Sequence, residues 1–114
     1  MNNTELDHLT GKDPIVSKIY DKLINELQKF GQIKIEPHKT SIHLGNRFCF
    51  AGVYTRKDYL NLELHLNYKL KSKRISKVEQ ASANRFHHTI KLTSEKDIDK
   101  ELLTWLEQAY ELKK

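Results

Sequence analysis

The amino-acid sequence lacks most of the features that identify common protein classes on inspection. Its single cysteine excludes an internal disulfide, and it shows neither a signal-peptide pattern nor an apolar run long enough to cross a membrane. Glycine-rich phosphate loops, nucleophile elbows, paired catalytic carboxylates and Cys-x-x-Cys motifs are also missing. We therefore expect a soluble cytoplasmic protein without a cofactor and without membrane insertion, in which binding is favoured over catalysis.

The composition indicates one modest core inside a strongly solvated surface. The chain has 114 residues, of which 38% are hydrophobic and 31% are charged. A chain of this length is one domain by the usual size range, and it can bury a core without disulfides or metals. We predict a single domain over residues 1–114, in which residues 1–12 form a loosely packed N-terminal segment.

The net charge of +5 comes from one local stretch between Glu63 and Glu79. Without these cations the 20 basic residues fall to 15, which equals the number of acidic residues. Lysines of this kind keep an edge strand or loop soluble, and they are also the residues that contact nucleic-acid phosphates or another acidic partner. The stretch, which is the candidate nucleic-acid contact, consists of Lys69, Lys71, Lys73, Arg74 and Lys77.

Three segments have helical patterns. Thr4 to Asp7 fits a capping box and predicts a short first helix. Asp13-Pro14 opens a second helix, whose apolar residues recur every fourth position until Gly31 stops it. Ser94 to Asp97 is a second capping box, and we read the terminal helix as following it and running to about Leu112. Asp97 and Asp99 are interpreted as acids in the first turn of that helix.

Between the second and third helices the apolar period is two, which is typical of strands. The clearest run, from Tyr59 to Tyr68, places four leucines on one face. Gly45-Asn46 indicates a tight hairpin, and the segments from Lys73 to Gln80 and from Phe86 to Leu92 complete the pattern. The fold class is therefore α+β: a mainly antiparallel sheet of about five strands, with N-terminal and C-terminal helices packed on it.

The segment from Arg47 to Thr55 is apolar on both faces. Strict alternation places Phe48, Phe50 and Tyr54 on one face, and the second face carries Cys49, Ala51 and Val53. A central strand of this type needs cover on its second face, so a homodimer through the less covered side is predicted. Cys49, in the middle of this strand, is interpreted as a buried and unreactive thiol.

The histidine pair His87-His88 divides between the two faces of its strand. His88 shares a face with Phe86, Ile90 and Leu92, whereas His87 points the other way. A histidine among apolar residues is either a core residue with both nitrogens hydrogen-bonded or part of a pocket wall. We expect a packed structural histidine, and the functional alternative is a small-ligand pocket formed by His88 and Lys39.

The remaining strand histidines are candidates for a metal site. His43, His65 and His87 fall on the outward face if their strands are neighbours, and Glu63 lies two residues from His65 on that face. Imidazole and carboxylate groups are zinc ligands. Tandem ligand spacing is missing, so surface histidines without a metal are the expectation, and the metal site is the alternative.

Several segments together resemble a known family. They are Lys73 to Glu79, Ser82 to Leu92, Asp97 to Tyr110, His8 to Lys12, Tyr20-Asp21 with Phe30-Gly31, Lys39-Thr40 and Phe48 to Val53. These segments are similar to an uncharacterised bacterial family of domains of unknown function, some of whose members carry the label "predicted transport protein". The resemblance implies a single α+β domain in a bacterial cytoplasm and supplies no catalytic residues. Because no membrane segment is present, the label implies at most a soluble accessory.

The function favoured by these patterns is that of a soluble binding or interaction domain with a small pocket near Lys39 and His88. The first alternative is nucleic-acid binding through Lys69 to Lys77, which requires salt-dependent association. The second alternative is a small enzyme that uses His88 or the outward histidines with Glu63.

Overall fold

A computed structural model describes residues 4–113, so the first three residues of the predicted loose segment 1–12 lie outside the described part. Residues 4–113 form three α-helices, α1 to α3, a 3₁₀ turn and six strands, β1 to β6. The helices are Glu5–Leu9, Pro14–Leu27 and Lys100–Leu112, and the 3₁₀ turn is Glu95–Asp97. The strands are Lys34–Pro37, Ile42–Gly45, Cys49–Thr55, Leu60–Leu66, Ile75–Ser82 and Arg85–Leu92.

The six strands form one antiparallel sheet in the order β1-β2-β3-β4-β6-β5. The predicted α+β class is confirmed, with one strand more than the five expected. The additional strand arises because β1 and β2 are separate: the chain turns after Pro37, and the His38 N–H donates to the Ser41 carbonyl at 2.7 Å. In addition, β4 pairs with β6 and not with β5, so β5 lies at the edge of the sheet.

Helices α2 and α3 cover one face of the sheet, and the core lies between them and the strands. Ile19, Leu23 and Leu27 on α2 are fully buried, as are Leu102 and Leu106 on α3. The predicted inward row of β4 is confirmed by its alternating burial. This inward row consists of Leu60, Leu62, Leu64 and Leu66, none of which is more than 2% exposed. The opposite face, called here the outer face, carries partly exposed polar side chains of β2, β4 and β6.

A β-bulge in β3 changes the predicted alternation. Leu44 of β2 is opposite Ala51, but Gly45 is opposite Cys49, so Phe50 is an extra residue without a partner across the strands. Phe50 and Ala51 are both fully buried, and the Phe50 ring meets Tyr110 edge-on. The interpretation of Cys49 as a buried residue in the middle of a strand was therefore wrong, since Cys49 begins β3 and is only partly buried.

The connection from β2 to β3 is also longer than the tight turn predicted at Gly45-Asn46. Three residues, 46–48, separate the strands, and the Asn46 N–H donates to the Phe48 carbonyl at 3.2 Å. Gly45 is required here because a Cβ atom at this position would lie 2.7 Å from the Phe48 carbonyl oxygen. A bulky residue at position 45 would therefore disturb the turn that the bulge follows.

The terminal helix begins later than its sequence pattern suggests. The Ser94 capping box is present, but it begins the 3₁₀ turn, which has its C-cap at Ile98, and the backbone is extended at Asp99. Helix α3 has its own N-cap in Asp99, whose side chain accepts a hydrogen bond from the Leu102 N–H at 3.0 Å. Asp97 and Asp99 are therefore capping residues of two successive elements and not acids in one first turn.

Among residues 4–113 we find no helix that combines the length and the apolar character needed to span a membrane.

Candidate metal centre

The register of β4 and β6 brings three of the four candidate metal ligands together on the outer face. Glu63 and His65 are two residues apart on β4 and therefore point to the same side of the sheet. His87 of β6 is directly opposite His65. Residues opposite each other in antiparallel strands have Cβ atoms about 5 Å apart, close enough for their side chains to interact. We call Glu63, His65 and His87 the outer-face triad.

Within the outer-face triad, one carboxylate oxygen contacts both imidazoles. Glu63 Oε1 lies 3.0 Å from His65 Nε2 and 3.5 Å from His87 Nδ1. The two rings stack, with their centroids 4.0 Å apart and their planes 19° apart. One ligand atom from each residue can be chosen so that all three lie within 4.8 Å of one another. The side chains are 25%, 13% and 23% exposed in sequence order, so the cluster is partly desolvated but accessible.

The electrostatics of the outer-face triad favour the protonation states that a metal ion requires. The hydrogen bond from His65 lowers the pKa of the Glu63 carboxyl below its ordinary value, against the opposing effect of burial. Burial lowers the pKa of His87, and the nearby His65 lowers it further. Metal binding requires an ionised carboxylate and neutral imidazoles, and these pKa directions favour both at neutral pH for Glu63 and His87. His87 Nε2 is buried and has no hydrogen-bond partner among the described residues.

His43, the fourth predicted ligand, lies on the same face but outside the cluster. It is opposite Gly52 of β3, which in turn is opposite Glu63. Two strand spacings therefore separate His43 from Glu63, roughly 10 Å along the sheet. Its ring stacks on His38 with a centroid separation of 4.1 Å, and burial, followed by the neighbouring His38, lowers the pKa of His43. His43 is thus a neighbour of the outer-face triad and not a fourth member of it.

A cleft with a volume of about 460 Å³ opens next to the two triad histidines. We call it the Phe48 cleft. His65 and His87 contribute to its wall, and the other lining residues come from the start of β3, the start of β6 and the end of α3. These are Phe48, Cys49, Arg85, Leu112 and Lys113. Sequence patterns missed this cleft, because only the bulge turns Cys49 towards the outer face and only the tertiary fold brings the end of α3 there.

Cys49 in the Phe48 cleft is held as a thiol. Its Sγ donates to the Ala51 carbonyl at 3.2 Å, and burial raises the pKa of the thiol above its ordinary value. A raised thiol pKa reduces the thiolate fraction at neutral pH. The expectation of an unreactive cysteine is therefore supported by a different environment from the one predicted.

His88, the other member of the histidine pair, is fully buried on the inward face, as its strand position predicts. Its Nε2 accepts a hydrogen bond from the Leu70 N–H at 2.9 Å, which ties the connection between β4 and β5 to the core. Burial lowers the pKa of His88, so the ring stays neutral. Lys39 is exposed in the turn between β1 and β2, and its side chain forms no hydrogen bond or ion pair with residues 4–113. No contact of the described chain joins Lys39 to His88.

The basic stretch divides into free and engaged cations. The Arg74 guanidinium contacts Asp99 at 2.8 Å and Glu101 at 3.1 Å, and it lies 5.8 Å from the centre of the Trp105 ring. The Lys77 Nζ atom lies 3.6 Å from Glu79 Oε2. The three remaining lysines of the stretch, Lys69, Lys71 and Lys73, are exposed in the connection between β4 and β5. Part of the local charge is thus neutralised within the fold.

A six-stranded antiparallel sheet with helices on one face and a histidine–carboxylate cluster on the other defines an α+β domain with an accessible polar sheet surface. The family model described as "Domain of unknown function (DUF5655)" matches residues 5–113, and the chain therefore belongs to this family. No curated protein matches the chain, and no solved structure does. The family description names no activity, so function is argued from the outer face itself.

Proposed function

We propose that this protein is a binding domain that takes up a divalent transition-metal ion through the outer-face triad, with Zn²⁺ as the preferred ion. The observation that carries the proposal is the convergence of Glu63 Oε1, His65 Nε2 and His87 Nδ1. Two imidazoles and one carboxylate form a known three-ligand zinc set with a fourth position open to water or a ligand. Mg²⁺ and Ca²⁺ are hard cations that prefer oxygen ligands, so they bind weakly to a site with two nitrogen ligands.

The spacing of the ligand atoms supports this ion. Zinc bonds to imidazole nitrogen and carboxylate oxygen are close to 2.1 Å, so neighbouring ligand atoms of a tetrahedral site lie roughly 3.4 Å apart. The distances of 3.0 Å and 3.5 Å from Glu63 Oε1 to the two imidazole nitrogens lie on either side of that value. Because an imidazole nitrogen binds a metal in the plane of its ring, the stacked rings of His65 and His87 would also have to rotate towards a common point to hold the ion.

Isothermal titration calorimetry of tag-free protein with Zn²⁺ tests whether the outer-face triad binds this ion. We expect one Zn²⁺ ion to bind per chain and Mg²⁺ to produce little heat. Glu63→Gln and His65→Asn should each lower the affinity for Zn²⁺ by about tenfold or more. Glu63→Gln is the sharper variant, because it removes the anionic oxygen and keeps the side-chain shape.

His43→Gln is the matched control, since it removes a histidine from the same face outside the outer-face triad. Zinc affinity should be unchanged in this variant. Bound zinc below about a tenth of an equivalent in the wild-type protein, or equal losses for His43→Gln and Glu63→Gln, would contradict the proposal.

The other predicted functions keep narrower support. A small-ligand pocket at Lys39 and His88 stays a prediction, and the Leu70 hydrogen bond of His88 favours a structural role for that ring. Nucleic-acid binding also stays a prediction and depends on the exposed Lys69, Lys71 and Lys73; it requires association that weakens steeply with salt. The small enzyme that uses His88 or the outward histidines with Glu63 also stays a prediction. The same holds for a homodimer, a cytoplasmic location and a link to transport.

A further inference from the structure

The Phe48 cleft combines apolar and cationic walls in a way that the outer-face triad does not require. Phe48 is 62% exposed and Leu112 is 46% exposed, although each is a large apolar side chain. The Phe48 N–H donates to the Lys113 carbonyl at 3.4 Å, which holds the two apolar residues at one cleft. Exposed apolar surface that is gathered in one concave place marks a binding site more often than a scattered apolar residue does.

The cations of the cleft have no partner among the residues that the structure describes. Arg85 is exposed, and neither Arg85 nor Lys113 forms a side-chain ion pair or hydrogen bond with residues 4–113. None of the described residues that line the cleft is acidic. This differs from Arg74, whose guanidinium is held by two carboxylates. A free guanidinium at the wall of a cleft is suited to bind a carboxylate with two parallel hydrogen bonds.

The size of the cleft fits a small molecule. Its volume of about 460 Å³ lies within the range of ligand sites, and a smaller lobe of about 200 Å³ continues past Arg85 towards Asn67 and Asn84. We propose that the Phe48 cleft binds a small organic anion: a carboxylate that meets Arg85 and Lys113, joined to an aromatic or aliphatic body that packs on Phe48 and Leu112. The inference goes beyond metal binding: His65 and His87 belong to both sites, but Glu63 does not line the cleft, so a change at Glu63 tests the two proposals separately.

The proposal is tested by amide NMR of the full chain, titrated with 2-naphthoate and, separately, with its neutral analogue 2-naphthamide. We expect saturable shifts at Phe48, Arg85 and Leu112 with the carboxylate, and binding of the amide that is weaker by about tenfold, because a hydrogen-bonded charge is lost. Arg85→Ala should weaken binding of the carboxylate by about the same factor. Phe48→Ser should also weaken it, and since this side chain is largely exposed, the variant should remain folded.

Arg56→Ala is the matched control, because it removes one exposed arginine elsewhere on the surface and should leave the affinity for naphthoate unchanged. Glu63→Gln separates the two proposals: it should weaken zinc binding by about tenfold or more and leave naphthoate binding intact. Shifts that do not saturate below roughly 10 mM, equal affinity for the carboxylate and the amide, or equal effects of Arg85→Ala and Arg56→Ala would each overturn the inference.

Discussion

At the scale of single residues, two adjacent histidines occupy opposite environments. His88 is enclosed by the core and accepts one backbone hydrogen bond, whereas His87 stacks on His65 beside a carboxylate. Strand periodicity predicts this division, because successive side chains of a strand point to opposite faces. The partners of the two rings follow from the fold, since Leu70 lies in a loop and His65 lies on a strand that is not adjacent to His87 in the sequence.

Replacing His88 tests whether its ring has the structural role that the contact with Leu70 indicates. His88→Leu places an apolar side chain of similar size at this position but leaves the partly buried Leu70 N–H without its acceptor. We expect the free energy of unfolding to fall by about 1–3 kcal/mol in urea denaturation. The exposed His38→Leu serves as control and should change it by less than about 0.5 kcal/mol. Equal stability of the two variants would show that the Leu70 hydrogen bond contributes nothing.

At the scale of elements, the sequence predicts which segments are helices and strands, and it fails where one residue changes the phase. The apolar rows of α2 and β4 are found where their periods place them. The late start of α3 was not predicted, because two N-terminal capping signals follow one another and the first begins only a 3₁₀ turn. The cluster of Glu63, His65 and His87 forms because β4 pairs with β6 and not with β5, the next strand in the sequence. No local sequence pattern encodes which of these two strands pairs with β4.

The start of α3 depends on Asp99, which caps the helix and pairs with Arg74 of the neighbouring chain segment. Although burial opposes it, the Leu102 N–H and the Arg74 guanidinium lower the pKa of Asp99 below its ordinary value. Asp99 thus stays ionised in the folded protein at a pH where it is protonated in the unfolded chain. Its contribution to stability is present above about pH 4 and is lost as the pH falls through the lower pKa of the folded state.

Two variants separate the cap from the charge of Asp99. Asp99→Ala removes both and should lower the free energy of unfolding by about 1 kcal/mol at pH 7. Asp99→Asn retains a capping oxygen, so it should lose less, and its difference from the wild type should close as the pH falls below about 4. Chemical denaturation at pH 7 and pH 3 measures both effects. A constant difference between Asp99→Asn and the wild type at the two pH values would refute the role of the Arg74 pair.

At the scale of the whole molecule, the fold separates stability from binding. Helices α2 and α3 and the inward face of the sheet form the core, while the outer-face triad lies on the opposite face and the Phe48 cleft opens beside it at the end of α3. Loss of a ligand from the outer-face triad should therefore remove function without removing the core. The sequence predicted this layering from its alternating strands, but the cleft required the end of α3 to meet the start of β3, a contact between distant parts of the chain.

Zinc that binds the folded state and not the unfolded state should raise the thermal stability of the protein. At free Zn²⁺ about 100 times the measured Kd, linkage adds about 2.7 kcal/mol, which corresponds to an increase in Tm of roughly 10 °C. Differential scanning calorimetry with and without Zn²⁺ measures this shift. A chelator should reverse it, and Glu63→Gln at the same Zn²⁺ concentration should show about half of the rise or less. An equal rise in Tm for Glu63→Gln would indicate that the ion acts somewhere other than the outer-face triad.

The bulge at Phe50 has a consequence for how relatives of this chain should be compared. Because one extra residue lies in β3, the positions before and after it follow opposite phases of inward and outward side chains. In an ungapped alignment with a relative that lacks this residue, the column of Cys49 would hold a residue of the inward phase. An alignment needs a one-residue gap at position 50 to keep surface with surface. That gap would mark the members of the family whose third strand runs without a bulge.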